Sequence, residues 1–233
     1  LITEAGLDQV ELGVDPAGFD GLVVTHEHSD HVRGARVFAK KHGVTIHATA
    51  GTLRSSGLDR CGEVTSGRLR SGVPVELGDF VVEPFDIPHD AAEPIGLVVE
   101  DRQGRRVGVV ADIGCRSQLA WAALRDVDAL VLEANHDLDM LRRGPYPWPL
   151  KQRVASRHGH LSNADAAHGL RDLVSDRLGL VVLYHLSRTN NFPDLAAATV
   201  GETLAAEGCG AELRVADQFE PSGWLEVGPV AAL

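Results

Sequence analysis

An apolar stretch, Gly21-Leu22-Val23-Val24-Thr25, runs straight into His26-Glu27-His28-Ser29-Asp30-His31. This junction constrains the chain more than any other feature. Three imidazoles and the carboxylate of Asp30 within six residues are costly unless they bind something. In an extended or tightly turned segment, His26 and His28 face one point at a two-residue period. Asp30 and His31 open the next turn and face a second point. Neutral imidazole and carboxylate are ligands that suit zinc, iron or manganese. The cluster follows a buried strand, and the carboxyl ends of strands are where α/β sites gather. A merely solvated polar loop is therefore the weaker explanation.

Three isolated residues complete the set. His89 follows FDIP, Asp112 ends VGVVAD and His185 ends VVLYH. Each alone reads as a core or loop residue. Together they repeat one pattern, a ligand type at the end of an apolar strand.

Around these points short apolar runs alternate with helical patterns. Strands are predicted over 21–26, 44–49, 128–135, 179–187 and 211–219. Helices are predicted over 32–43, ending on Gly43, near 163–177 with Ser162 as N-cap, and over 194–208. Segments 74–87 and 96–112 each carry two β-rich arms around a turn, at Gly78-Asp79 and Asp101–Gly104. Gly144–Leu150, with three prolines, reads as a stiff loop. Central hairpins with strand–helix alternation at both ends predict an α/β protein with a sheet pair flanked by helices.

The 233 residues are read as a single domain, 1–233, long enough to bury a core. No apolar run approaches the roughly 20 residues of a membrane span, and the start, LITEAGLDQV, has no signal-peptide pattern. The chain opens on Leu1 as if already inside a strand, so a preceding segment is expected. The net charge of −11 argues against whole-surface binding of nucleic acid but allows a local basic groove. Cys61, Cys115 and Cys209 are far apart and form no CxxC, which points to reduced thiols and a cytoplasmic protein.

THEHSDH, followed by single His, Asp and His at strand ends, resembles the metallo-β-lactamase superfamily. More narrowly, THEHSDHVRG (25–34), PHDAAEPIG (88–96), LEANHDLDMLRRGPYPWPLKQRV (132–154), GHLSNADAA (159–167) and HLSRTNNFPDLA (185–196) are similar to the bacterial YycJ (WalJ) family. The resemblance covers about Ile2 to Phe219, and its PYPWPLKQR and HLSRTNN stretches are its most specific parts. It implies a four-layer αββα sandwich holding two divalent metal ions, zinc or manganese, with iron a third candidate. His26, His28 and His89 would hold one ion, Asp30, His31 and His185 the other, and Asp112 would bridge them. A hydroxide bridging the metals would be the nucleophile. The chain departs from the family in lacking its opening strand and Gly/Ser-rich loop, and in carrying Glu4 where the family has Asp.

The resemblance also suggests a phosphodiesterase or nuclease, similar to a DNA exonuclease, with Asp30 and His160 as catalytic residues. A His in the position of His160, just before a helix, protonates the leaving group in related phosphodiesterases. Ser187, Arg188, Asn190 and Asn191 follow His185 and suit phosphate binding. Arg142, Arg143, Lys151, Arg153 and Arg157 concentrate positive charge around Tyr146 and Trp148, either of which could stack on a base. Nucleic acid or another phosphodiester is the expected partner. The alternative is a carbonyl hydrolase (lactonase, thioesterase or β-lactamase) on the same two-metal site, which leaves HLSRTNN without a purpose. An electron-transfer di-iron protein fits less well because of His28, and a non-catalytic interaction protein least. His136 and His158 are read as supporting or buried polar groups, and His42, His47 and His168 as structural.

Overall fold

The computed structural model describes residues 13–60 and 62–228; Glu4, Cys61 and the opening segment lie outside them. The strands fall into two sheets. β1 (Leu22–Val23), β2 (Ile46–Thr49) and β3 (Ser66–Leu69) form a parallel three-stranded sheet. The larger sheet holds β4 (Val75–Leu77), β5 (Phe80–Asp86), β6 (Ile95–Asp101), β7 (Arg106–Val110), β8 (Ala129–Glu133), β9 (Leu180–Tyr184) and β10 (Glu212–Val215), ordered β10-β9-β8-β7-β6-β5-β4. Strands β4 to β7 are an antiparallel meander, and β7 to β10 are parallel. Both predicted hairpins are present. Gly78-Asp79 joins β4 to β5 with Leu77 opposite Phe80, and the Asp101–Gly104 turn lies between β6 and β7.

The two-residue period of the strands sorts the core into layers. Leu97 and Val109 face the small sheet and pack with Leu69, Val82 and Ile95. Their neighbours Val98 and Val110 face the other way, onto Trp121 of α4 (Gln118–Ala123), Leu170 of α7 (Asn163–Leu170) and Val200 of α8 (Pro193–Ala206). Across the small sheet, Ile46 and Ala48 pack on Ala35 and Ala39 of α2 (Ala35–His42) and on Leu53 of α3 (Ala50–Ser56). The order is helix, sheet, sheet, helix, the αββα sandwich expected.

Local chemistry sets the helix ends. Gly43 closes α2 at φ 70°, with Lys40, Lys41 and His42 in the last turn. Ser162 caps α7 by accepting the Asp165 N–H at 3.0 Å. Some boundaries differ from expectation. The helix predicted over 32–43 is two helices, α1 (Ser29–Val32) and α2, so Asp30 and His31 lie inside a helical turn. The helix from 163 stops at Leu170, where single turns take over, and the strand from 211 stops at Val215. The 144–150 segment is only partly a loop. After α5 (Leu138–Arg143), Pro147 caps α6 (Trp148–Val154), a place where proline is tolerated because no N–H is needed.

Topology then places the site. β5 and β7 are both antiparallel to β6, so β5, β7, β8 and β9 all point the same way. Their carboxyl ends share one edge, where His89, Asp112, Glu133 and His185 follow. The exit of β1 meets that edge through the Ile95 N–H, which donates to the Thr25 carbonyl at 3.1 Å.

At the opposite end of β8, Asp128 is 4% exposed. Its carboxylate accepts the Arg106 N–H at 2.7 Å and the Arg177 guanidinium at 2.7 Å. Burial opposes its charge, but the bonds from Arg177 and Arg106 outweigh it and hold the carboxyl below its ordinary value. Arg177 is half exposed and adds little. The orphaned Arg106 N–H sets the cost, so Asp128→Ala should destabilise the fold by about 1–3 kcal/mol. A depressed carboxyl contributes above its unfolded value near ~3.9 and loses the contribution as pH falls below it. Urea unfolding at pH 7 and pH 3 checks this; the gap between variant and wild type should narrow at the lower pH without closing, because a protonated Asp128 still accepts the Arg106 N–H.

Candidate metal centre and groove

Thr25 sets the first imidazoles. Its Oγ1 lies 3.2 Å from His26 Nδ1 and 3.5 Å from His31 Nδ1, which leaves both Nε2 atoms for the interior of the site. His89 Nδ1 donates to the Gly159 carbonyl at 3.1 Å, which turns its Nε2 to within 3.2 Å of His28 Nδ1. Holding one ring nitrogen fixes which nitrogen is offered to a ligand site. His26, His28 and His89 thus bring one donor atom each within 4.8 Å of one another, and so do Asp30, His31 and His185. Asp112 reaches both groups: Oδ2 is 2.9 Å from His31 Nε2, and Oδ1 is 3.9 Å from His89 Nε2. All seven residues named from the sequence are brought together.

The donor set fits divalent cations. His26 Nε2 is buried and makes no hydrogen bond, and the buried Asp112 Oδ2 has His31 Nε2, at 2.9 Å, beside it. Burial pushes the His26 imidazole down to about 3, so it stays neutral, the form that ligates. Burial also lowers His89. For His31, burial opposes the charge but the carboxylates of Asp112 and Asp30 outweigh it and raise the group to about 9. His185 is raised well above its ordinary value in the same way, burial being overcome by Asp112, Asp30 and Glu133. Asp30 is held far below the carboxylate range by His185 and His31. The carboxylates of Asp30, Asp112 and Glu133 thus favour positive charge at this point of the site.

Glu133 is the site residue that the sequence reading missed. It is fully buried at the end of β8. Its Oε1 accepts His160 Nδ1–H and His185 Nδ1–H, each at 2.8 Å, and its Oε2 accepts the N–H groups of Ile113 at 2.9 Å and Leu161 at 3.1 Å. Asp112, Glu133, His160 and His185 are also close enough to hold a metal. Those hydrogen bonds already engage both oxygens of Glu133, so it orients the two imidazoles rather than offering itself as a ligand. The signal was available: Glu133 ends an apolar run, DALVLE, as the three isolated ligands do.

The turn that delivers His160 is tight. A Cβ on Gly159 would lie 2.2 Å from the carbonyl oxygens of Arg153 and Val154, and one on Gly114 would lie 2.4 Å from the Arg157 carbonyl oxygen. Only glycine admits these approaches.

A groove of about 1020 Å³ opens over Asp30, His31, His160 and His185. Ser187, Arg188, Arg153 and Tyr146 line its walls. Asn190 and Asn191 stand differently. Both are buried, and Asn191 donates to the Ala134 carbonyl and exchanges bonds with Asn163, each at 2.8 Å. Asn191 also lines the groove, and with Asn190 it braces the loop that carries Ser187 and Arg188. Of the basic run, Arg153 faces the groove, its Nε donating to Asp90 at 2.5 Å. Arg142 and Arg143 pair with Asp139, and Lys151 donates to the Arg142 carbonyl. Trp148 is 66% exposed and is not among the groove residues. His136 is buried, and His47 packs over Gly21 and Gly67.

Residues 5–186 match the model of the β-lactamase superfamily domain. The chain is 35% identical over 221 residues to the exodeoxyribonuclease YycJ of Bacillus anthracis, covering 94% of this chain and 81% of that protein. It is 33% identical over 232 residues to the exodeoxyribonuclease WalJ of Streptococcus pneumoniae, covering 93% and 85%. The metallo-β-lactamase fold protein YhfI of Bacillus subtilis superposes with a TM-score of 0.69 at 17% identity, over 92% of this chain and 82% of that one. The chain belongs to the metallo-β-lactamase superfamily, and within it to the YycJ/WalJ family.

Because Asp112 touches both donor clusters, its loss should cost more metal than the loss of a peripheral ligand. Asp112→Ala, dialysed against manganese or zinc and assayed by mass spectrometry, is expected to lose bound metal, while His28→Ala keeps part of it. Full occupancy in Asp112→Ala would show that the carboxylate bridges nothing.

Proposed function

We propose that this chain is a metal-dependent phosphodiesterase acting on nucleic acid, with the ends of DNA strands as the preferred substrate. The observation that carries the reading is the meeting, in one groove, of the Asp30, His31 and His185 cluster and His160 with Arg153, Ser187 and Arg188, while the His26, His28 and His89 cluster is joined to them through Asp112. Two separated Arg side chains beside the donor atoms suit successive phosphates of one strand better than a single acyl group. The names of the YycJ and WalJ relatives support the same choice.

His26, His28 and His89 would hold one divalent ion and Asp30, His31 and His185 a second, with Asp112 shared; zinc or manganese suits this donor set, and iron is a third candidate. When bound, such ions neutralise phosphate charge and lower the pKa of water. The remaining work falls to the chain itself. Asp30, at 42% side-chain exposure, opens onto the groove and orients the attacking water by accepting a hydrogen bond from it. His160 faces the groove with Nδ1 held by Glu133, so Nε2 is free to give a proton to the leaving oxygen. Ser187 and Arg188 hold a non-bridging oxygen or a terminal phosphate, and the free Nη atoms of Arg153 hold the next phosphate. Arg142, Arg143, Lys151 and Arg157 form an outer basic margin. No helix among the described residues is long and apolar enough to cross a membrane. Free Cys115 and Cys209 support placing the protein in the cytoplasm.

The metal-loaded protein should hydrolyse bis-p-nitrophenyl phosphate and a 5′-phosphorylated oligonucleotide, stop on chelation and recover on adding manganese or zinc. Turnover of a lactone, a thioester or nitrocefin without phosphodiester cleavage would replace this reading by the carbonyl hydrolase.

His160→Ala should retain its metal and melting temperature yet slow nucleotide release by about 10²–10⁴-fold, the usual worth of general acid catalysis. The loss should shrink for p-nitrophenolate, which leaves without a proton. An equal loss on both leaving groups counts against proton donation by His160.

A further inference from the structure

The groove has an apolar wall that the phosphodiesterase chemistry does not use. Phe219 lies just beyond β10 and is 58% exposed. The Arg188 guanidinium stacks over its ring, 4.9 Å from the centroid. The backbone is fixed there as well: Asp217 Oδ1 accepts the N–H groups of Phe219 at 2.7 Å and Glu220 at 3.0 Å. A phenyl ring held at the rim of a polar site, with one face covered by a cation and the ring still more than half exposed, is built to be covered by something flat. Phe192, 61% exposed, and Tyr146 complete the wall. The same Arg188 belongs to the loop that follows His185. One residue thereby ties an anion-binding position to an aromatic face.

We propose that Phe219 is the platform for the terminal base of the strand, which enters turned away from its neighbour and stacks on the ring while Arg188 bridges base platform and phosphate. This rests on the phosphodiesterase reading and sharpens it. The preferred substrate is a strand whose last nucleotide is unpaired, and stacking tolerates any sequence because every base offers a π-face. A paired end serves only as far as it frays.

The test is a cycle between the ring and the base. KM is measured for a 5′-phosphorylated single strand and for the same strand lacking its terminal base. With wild type, removing the base should raise KM about 5- to 150-fold, the range for one base on an aromatic ring. Phe219→Ala should raise KM on the intact strand similarly, and then show no further effect of removing the base. Phe219→Trp should restore the difference, whereas Phe219→Leu, equally apolar but without a π-face, should not. Melting temperatures and metal content of the variants guard against misfolding. Equal KM for the two strands with wild type, or an undiminished Phe219→Ala penalty on the base-less strand, overturns the platform. A wild-type protein that cleaves bis-p-nitrophenyl phosphate but binds no oligonucleotide defeats the nucleic-acid reading itself, and the platform falls with it.

Discussion

Everything at the site hangs on one buried carboxylate. Glu133 ends β8, an interior strand of the large sheet between β7 and β9, and has no exposure at all. A lone carboxylate there would be strongly disfavoured. Four N–H donors reverse that: two backbone groups, from Ile113 and Leu161, and two imidazoles, from His160 and His185. Burial still opposes its charge, but the bonds from His160 and His185 outweigh it and keep it ionised. The four donors come from the exits of β7 and β9 and from the turn before α7, so one side chain fixes three loops at once. Glutamine would be a poor substitute. Its amide presents one acceptor where Glu133 has two, so either the imidazole pair or the backbone pair would face a donor.

Around that anchor the loops are bent further than ordinary residues prefer. Asp112 and His185 have left-handed backbones, at φ 55° and 61°, although neither is glycine. Such conformations cost of order 1–3 kcal/mol each and persist only where the surroundings enforce them. Both residues sit directly after a strand end, where an extended backbone would carry the side chain along the sheet. The reversal turns it across the edge instead, toward His31 and Asp30. The strain is thus located where ligand geometry is set.

The sequence made the ligands legible because their signal is local. A titratable residue directly after an apolar run is visible in any window of six residues, and the topology then puts those run-ends on one edge. Features that depend on tertiary contacts were not legible. Glu133 reads as the last residue of a strand until its four donors are seen. Asn191 reads as a substrate contact because it is polar and follows His185, and no window of sequence shows that its amide also braces the loop through the Ala134 carbonyl and Asn163. The short helices α3 to α6 have too few turns for a 3.6-residue period to show. Phe219 was assigned to the last strand, since AELRVADQF alternates, but pairing ends at Val215 and Asp217 turns the chain back toward Arg188.

The same arrangement reconciles an acidic protein with the anionic substrate proposed for it. A net charge of −11 repels a phosphodiester at long range, and Asp30, Asp112 and Glu133 would repel it at short range. Positive charge is therefore concentrated at the groove. Asp90 holds Arg153 by its Nε alone, leaving the terminal nitrogens for another anion, and Phe219 holds Arg188 by its π-face, leaving every N–H of the guanidinium available. Neither anchor consumes the donors that recognise phosphate. The raised His31 and His185 mark where the remaining positive charge belongs, between the carboxylates and beneath the groove. On the proposed reading, recognition would rest on a few contacts of short reach, as engaging the end of a chain rather than its length requires.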